Sequence, residues 1–208
     1  MFTGRVHAGR ELAVRLEGVV RRPSVIAAIP RGGVPVALPI SERLGVPLTV
    51  AYARQLTDSS EPEVAFGSLA EDGDLMLDQA TISVLGLSPA AVERARLRVA
   101  AEIRRRIELY RGPLLGWLVP GRTAIIVDNG LPTGLTMQAA VSDARRHGAH
   151  EIVVAVPCAS ASATRRLRES ADRVVALVVD DAFTPVAHYY ADFPPVGVHE
   201  AGFGRSSP

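Results

Sequence analysis

The sequence predicts an α/β fold, a Rossmann-like and mainly parallel sheet flanked by helices, with a small hood or flap subdomain. Three observations predict it. Apolar, β-branched runs such as Ala124–Val127 and Glu151–Val156 read as strands buried on both faces. Such runs alternate with segments of helical period, which implies a parallel sheet with right-handed crossovers. The chain has 208 residues, 48% of them hydrophobic, ample for one domain with an appended piece and short for two. The expected domain covers residues 1–196, with a flap near 56–78, hood elements near 180–196, and a frayed Gly/Ser/Pro-rich tail over 197–208.

Taken in order, residues 7–22 carry Ala8, Leu12, Leu16 and Val19 on one face, an amphipathic helix. Ser24–Ile29 is a short strand running into Pro30-Arg31-Gly32-Gly33. The next helix reads from Val36 to Leu44 and stops at Gly45; Pro39 should delay its start or bend it. Pro47–Ala53 is a second strand, followed by Arg54-Gln55. The polar stretch from Leu56 to Asp72 is long enough to be a lid. Within it, Glu71-Asp72-Gly73 reads as the turn of a hairpin between 66–70 and 74–77.

Ser88-Pro89 opens a long helix, with Ser as N-cap and Pro at the first helical position. Val92, Ala95, Val99, Ile103, Ile107 and Tyr110 mark its buried face. Glu102–Arg106 and Arg104–Glu108 are spaced for surface pairs, and Arg104-Arg105-Arg106 reads as a solvated face. Gly112-Pro113 ends this helix. The central strand follows, then a helix ending near His147-Gly148. His147 and His150 make no convincing metal pair; they suit the negative end of a helix dipole. After Glu151–Val156, Cys158 reads as packing, and Arg173–Val179 as a last core strand.

Composition narrows the function. A formal charge of +1 gives no electrostatic case for nucleic acid or membrane as a partner. Every one of the 23 basic Lys+Arg positions is Arg, so no lysine serves as phosphate ligand, Schiff base or acid. A single cysteine rules out an internal disulfide. The first residues lack the apolar core of a signal peptide, and no apolar run is long enough to span a bilayer, so a cytoplasmic protein is expected.

The richest stretch is Thr123-Ala124-Ile125-Ile126-Val127-Asp128-Asn129-Gly130-Leu131-Pro132-Thr133-Gly134-Leu135-Thr136. A strand, a Gly/Thr turn and a helix N-terminus together cradle phosphate: free backbone N–H groups converge and the helix dipole adds positive potential. Thr133 and Thr136 can donate to the same anion. Asp128 would repel phosphate, so it suits sugar hydroxyls instead. The stretch therefore fits a ribose bearing a 5′-phosphate. An Asp-capped strand with a glycine loop that binds nothing would share some of these residues; acid, glycine and two hydroxyls in one window favour the phosphate reading. A haloacid-dehalogenase-type phosphatase with Asp128 as nucleophile needs a second acid two residues on, where Gly130 stands.

This pattern resembles the 5-phosphoribosyl 1-pyrophosphate (PRPP) motif of type I phosphoribosyltransferases. Four further stretches are similar, in order, to a poorly characterised bacterial branch of that family: Ile29-Pro30-Arg31-Gly32-Gly33-Val34; Ala53-Arg54-Gln55; Glu61-Pro62-Glu63-Val64-Ala65-Phe66-Gly67-Ser68; and the segment from Phe183 to Phe193. The resemblance implies the type I phosphoribosyltransferase fold, and transfer of the phosphoribosyl group from Mg-PRPP to an acceptor, with release of pyrophosphate. It implies Asp128, Asn129 and Arg31 as catalytic residues, and Gly130, Leu131, Pro132, Thr133, Gly134, Leu135 and Thr136 as the 5′-phosphate site. Arg31, Gly32, Gly33 and Arg54 would hold pyrophosphate, while Phe183, Tyr189 and Tyr190 would wall a planar acceptor.

Mg²⁺ would be held mainly by PRPP and water, with no direct protein ligand. Dimers are common in the family, so a homodimer is an open expectation. Three positions depart from the family pattern. Asn129 replaces an acid, Gln55 stands where a Lys is expected, and Pro132 stands where purine-salvage relatives carry an acid. The alternative is therefore a catalytically weak or inactive module that senses PRPP or a nucleotide.

Overall fold

The computed structural model describes residues 1–20, 23–58, 61, 64–110 and 118–197, with only the backbone at 109 and 110. The elements in chain order are α1 (Arg5–Leu16), β1 (Ser24–Ala28), α2 (Val34–Leu44), β2 (Leu48–Val50), β3 (Ala53–Thr57), β4 (Ala65–Ala70), β5 (Leu75–Leu77), α3 (Gln79–Val84), α4 (Pro89–Tyr110), β6 (Thr123–Val127), α5 (Leu135–Arg146), β7 (Glu151–Ser160), α6 (Ala161–Leu167) and β8 (Arg173–Asp180), then a 3₁₀ turn at Val186–Tyr189. Five strands form one sheet in the order β2-β1-β6-β7-β8, and every pairing in it is parallel.

The central strands are apolar at successive positions because both faces are covered. On β6, Ile125 and Val127 point into the core beneath α1, α2 and α4, while Ala124 and Ile126 point into the core beneath α5 and α6. β1 divides the same way, with Ile26 and Ala28 on one side and Val25 and Ala27 on the other. Burying each large aliphatic side chain contributes about 1.5–3 kcal/mol, so these strands anchor whatever is built at their ends. The strand order reverses between β1 and β6, and ligands of open parallel sheets bind in the crevice at such a reversal.

Several expectations are corrected. α1 ends at Leu16, short of 22. α2 starts at Val34 with Pro39 inside it, so Pro39 does not delay the start. The expected strand over 47–53 is only Leu48–Val50. Arg54 and Gln55 lie within β3, which pairs antiparallel with β4 and begins a separate three-stranded sheet, β3-β4-β5. That sheet is the small subdomain, with the 71–73 turn where the sequence puts it. β7 continues through Cys158 to Ser160, whose hydroxyl caps α6 by accepting from the Ala163 N–H at 3.0 Å. β8 is an edge strand; Val179 is 51% exposed, so it is no core strand. α4 starts as read, with Ser88 Oγ accepting from the Ala91 N–H. Gly112-Pro113 lies outside the described residues. Among the described residues no helix is long and apolar enough to cross a membrane.

The far ends of the described chain meet. Phe2 N–H donates to Tyr189 O at 2.9 Å, Ala191 N–H donates to Phe2 O at 2.8 Å, and the Phe2 and Tyr190 rings lie 5.5 Å apart.

Candidate active site

A cavity of about 610 Å³ opens at the C-terminal ends of β1 and β6. The chain leaves β1 through Ile29, Pro30, Arg31 and Gly32, and leaves β6 through Asp128, Asn129, Gly130 and Pro132; all eight line the cavity, with Thr136 from the first turn of α5. The Pro30–Arg31 peptide is cis. Arg54, Gln55 and Thr57 of β3 supply another wall. Sequence-distant loops thus converge on one space, because adjacent parallel strands end side by side.

Glycine sets how closely the two loops approach. Gly33, the N-cap of α2, sits over the β1 and β6 backbones; a Cβ there would lie 2.5 Å from Val127 O and 2.7 Å from Ile29 O. At Gly32 an added Cβ would meet the Asn129 side chain instead. Gly134, with φ 81°, turns the chain into α5 without a side-chain cap, leaving the first amides of that helix with no partner inside the helix.

The remaining 5′-phosphate candidates support the loop rather than face the cavity. Leu131 is buried and bridges to β7, donating its N–H to Cys158 O at 2.9 Å. Thr133 Oγ1 accepts from Gln55 Nε2 at 3.4 Å, which ties β3 to the loop after β6. Leu135 is buried, and its carbonyl accepts from Ser68 Oγ at 2.9 Å.

Asp128 is half-buried, and its Oδ1 accepts from the Asn129 N–H at 2.7 Å. Desolvation raises its pKa to about 7, against the Asn129 hydrogen bond and the Arg5 charge, which lower it. A carboxyl raised in this way binds a proton in the folded state that the unfolded chain has already released. Its contribution to stability is present below about pH 4 and is lost as pH rises through about 7. Asp128→Asn is therefore expected to gain stability relative to the native chain by up to roughly 4 kcal/mol at pH 8 and by little at pH 4, in urea denaturation at both pH values.

The Cys158 thiol is buried behind Gly130, 3.8 Å from Asn129 O. Burial, and next the Asp128 charge, push it up to about 12, which leaves it protonated and unreactive.

The three aromatic candidates are not among the residues that line the cavity; Val186, Pro195 and Val196 are. Phe183 stacks on Tyr189 at 4.9 Å, and Tyr189 donates its hydroxyl to Asp180 at 2.7 Å. Tyr190 donates to Asn129 O at 2.5 Å and packs among Phe2 and Phe193. Tyr190 thus holds the loop after β6 in place.

Two arginines at the cavity escaped the sequence reading. Arg5, from the start of α1, donates to Pro194 O at 2.8 Å and lies 3.7 Å over the Phe193 ring. Arg106, from α4, was read as part of a solvated triplet. The structure leaves Arg104 and Arg105 exposed and turns Arg106 to the cavity. Glu102 pairs with Arg54, at 3.2 Å. No motif signals Arg5; for Arg106 the signal is its position one turn past Glu102 on a helix that packs over β3.

Comparison with known proteins gives the family of the chain. The phosphoribosyl transferase domain family matches residues 6–193. An inferred phosphoribosyl transferase of Mycobacterium tuberculosis is 37% identical over 193 residues, which are 93% of this chain and 44% of that protein. The chain thus spans less than half the length of the curated relatives it matches. The crystal structure of TT1426 from Thermus thermophilus superposes with a TM-score of 0.77 at 36% identity, covering 96% of this chain and 95% of that one. A purine phosphoribosyltransferase from Pyrococcus horikoshii has a TM-score of 0.50 at 18% identity, with 93% of each chain covered, which is a likeness of fold alone.

Proposed function

Because this chain belongs to the phosphoribosyl transferase family, we propose that it binds PRPP with Mg²⁺ and transfers the phosphoribosyl group to an acceptor, releasing pyrophosphate. The observation that carries this reading is the convergence of Arg31-Gly32, Arg54 and Asp128-Asn129-Gly130 with Thr136 around one cavity. In this reading the first amides of α5 and the Thr136 hydroxyl hold the 5′-phosphate. The carboxylate of Asp128 accepts from ribose hydroxyls, with Asn129 beside it, and fixes the sugar while positive charge grows on its ring. Arg31, Arg54 and the amides of Arg31 and Gly32 hold pyrophosphate and take up its developing charge. Arg5 and Arg106 add positive charge that the missing lysine at Gln55 does not supply. Val186 and Val196 give the acceptor an apolar edge and limit water at the reacting carbon.

Asp128 is the only carboxylate among the described residues that line the cavity, where the Asn129 and Gln55 amides also lie. That donor set does not cage an ion. It fits a Mg²⁺ that arrives on phosphate oxygens and keeps its waters. When bound, the ion neutralises charge on the leaving pyrophosphate.

The ion pair between Arg54 and Glu102 favours a second reading, a PRPP or nucleotide sensor with little or no turnover, since it holds a pyrophosphate ligand away from its task. The two are separated by calorimetry with Mg-PRPP and by pyrophosphate release over a panel of purine, pyrimidine and amine acceptors. Transfer predicts saturable binding and acceptor-dependent release; binding without release for every acceptor favours the sensor. No saturable binding sinks both. Glu102→Gln is expected to tighten PRPP binding about threefold by freeing Arg54, in the same titration.

A further inference from the structure

A second polar cluster lies away from the cavity, where the β4–β5 turn meets the C-terminal end of α5. Asp72 comes from the turn; Asp143 on α5 and His147, the C-cap of that helix, lie one helical turn apart, and one ligand atom from each of the three lies within 4.8 Å of the others. Asp143 is only 2% exposed, and its Oδ1 has no hydrogen-bond partner. That oxygen lies 3.3 Å from His147 Nδ1, which is itself 2.9 Å from the Asp143 carbonyl oxygen. The nearby cation is Arg146. It pairs with Asp72, reaches Asp74 at 3.3 Å, and comes no closer than 3.8 Å to Asp143 Oδ1.

Among the described residues, Asp72, Asp74 and Asp143 gather around the Arg146 guanidinium. A buried carboxylate in such a place is stabilised by a proton or by a better-placed cation.

We propose that Asp72, Asp143 and His147 form a divalent-metal site that joins the antiparallel sheet to α5. Two carboxylates and an imidazole make a mixed O/N donor set, which suits a borderline ion such as Zn²⁺ better than the all-oxygen demands of Mg²⁺ or Ca²⁺. The site has a structural place in the fold: α5 carries the phosphate cradle at its other end, and β3 of the small sheet carries Arg54. An ion at this junction fixes the two cavity walls relative to each other.

The test is calorimetric titration of the full chain with ZnCl₂, in the absence of PRPP. The expected result is one ion per chain. Asp143→Asn and His147→Gln should each weaken binding at least tenfold, Asp128→Asn should leave it unchanged, and Arg146→Gln should tighten it by removing the competing cation. His147 is partly exposed, so its variant keeps the fold, which circular dichroism checks. No stoichiometric binding by the native chain, or native affinity in His147→Gln, overturns the proposal.

Discussion

Asp128→Ala is expected to weaken Mg-PRPP binding about a hundredfold or more while leaving the chain folded. Two sugar hydroxyls donating to a carboxylate contribute roughly 1.5–3 kcal/mol each, and 1.4 kcal/mol is tenfold in affinity. The fold survives because two effects oppose each other. Removing a half-buried, desolvated carboxyl relieves a penalty at neutral pH, while the Asn129 N–H loses its acceptor at 2.7 Å. Calorimetry with Mg-PRPP, run beside thermal denaturation, reads both. Unchanged affinity would remove the ribose role from Asp128 and with it the proposed function.

Gly33→Ala is expected to be severe in the opposite sense, damaging the fold first. The new Cβ would stand 2.5 Å from Val127 O and 2.7 Å from Ile29 O, both backbone atoms at the ends of the two central strands. Neither can retreat: Ile29 N–H donates to Val127 O at 2.8 Å, and Gly33 N–H donates to Ile29 O at 2.9 Å. Overpacking against backbone of this kind costs roughly 3 kcal/mol, read as a fall in the urea midpoint. Gly32→Ala makes the contrast. Its Cβ would meet the Asn129 side chain, which can turn aside, so that variant should keep most of its stability and lose PRPP affinity. Equal stability of Gly33→Ala and the native chain would contradict the packing at the strand ends.

The parts of this molecule that were legible in the sequence are those whose physics is local. Ala124–Val127 reads as a doubly buried strand because its neighbours on both faces demand apolar residues without a break. The acid, glycine and hydroxyls after it are adjacent in sequence and so adjacent in space. The Glu71-Asp72-Gly73 turn was legible for the same reason, with Gly73 at φ 92°. Arg54-Gln55 was misplaced because a strand interrupted after Val50 and a strand that changes sheet look alike in a run of apolar letters. Arg106 was hidden because helical period reports which face is solvated, not which solvated residue overlooks a cavity. Val186, Pro195 and Val196 carry no motif; they line the site through the path of the chain after β8. The His147 reading was right about the helix end and blind to Asp72, seventy-five positions earlier.

The junction of Phe2 with Tyr189, Tyr190 and Ala191 has a consequence for access. One roof of the cavity, from Val186 to Val196, is held by two backbone hydrogen bonds and a tilted ring pair at Phe2, by Arg5 on Pro194 O and the Phe193 ring, and by the Tyr190 hydroxyl on Asn129 O. These contacts are fewer than those of the all-parallel sheet below, so opening is expected here before it is expected in the sheet. Fraying there would unroof the chamber while its floor stays intact.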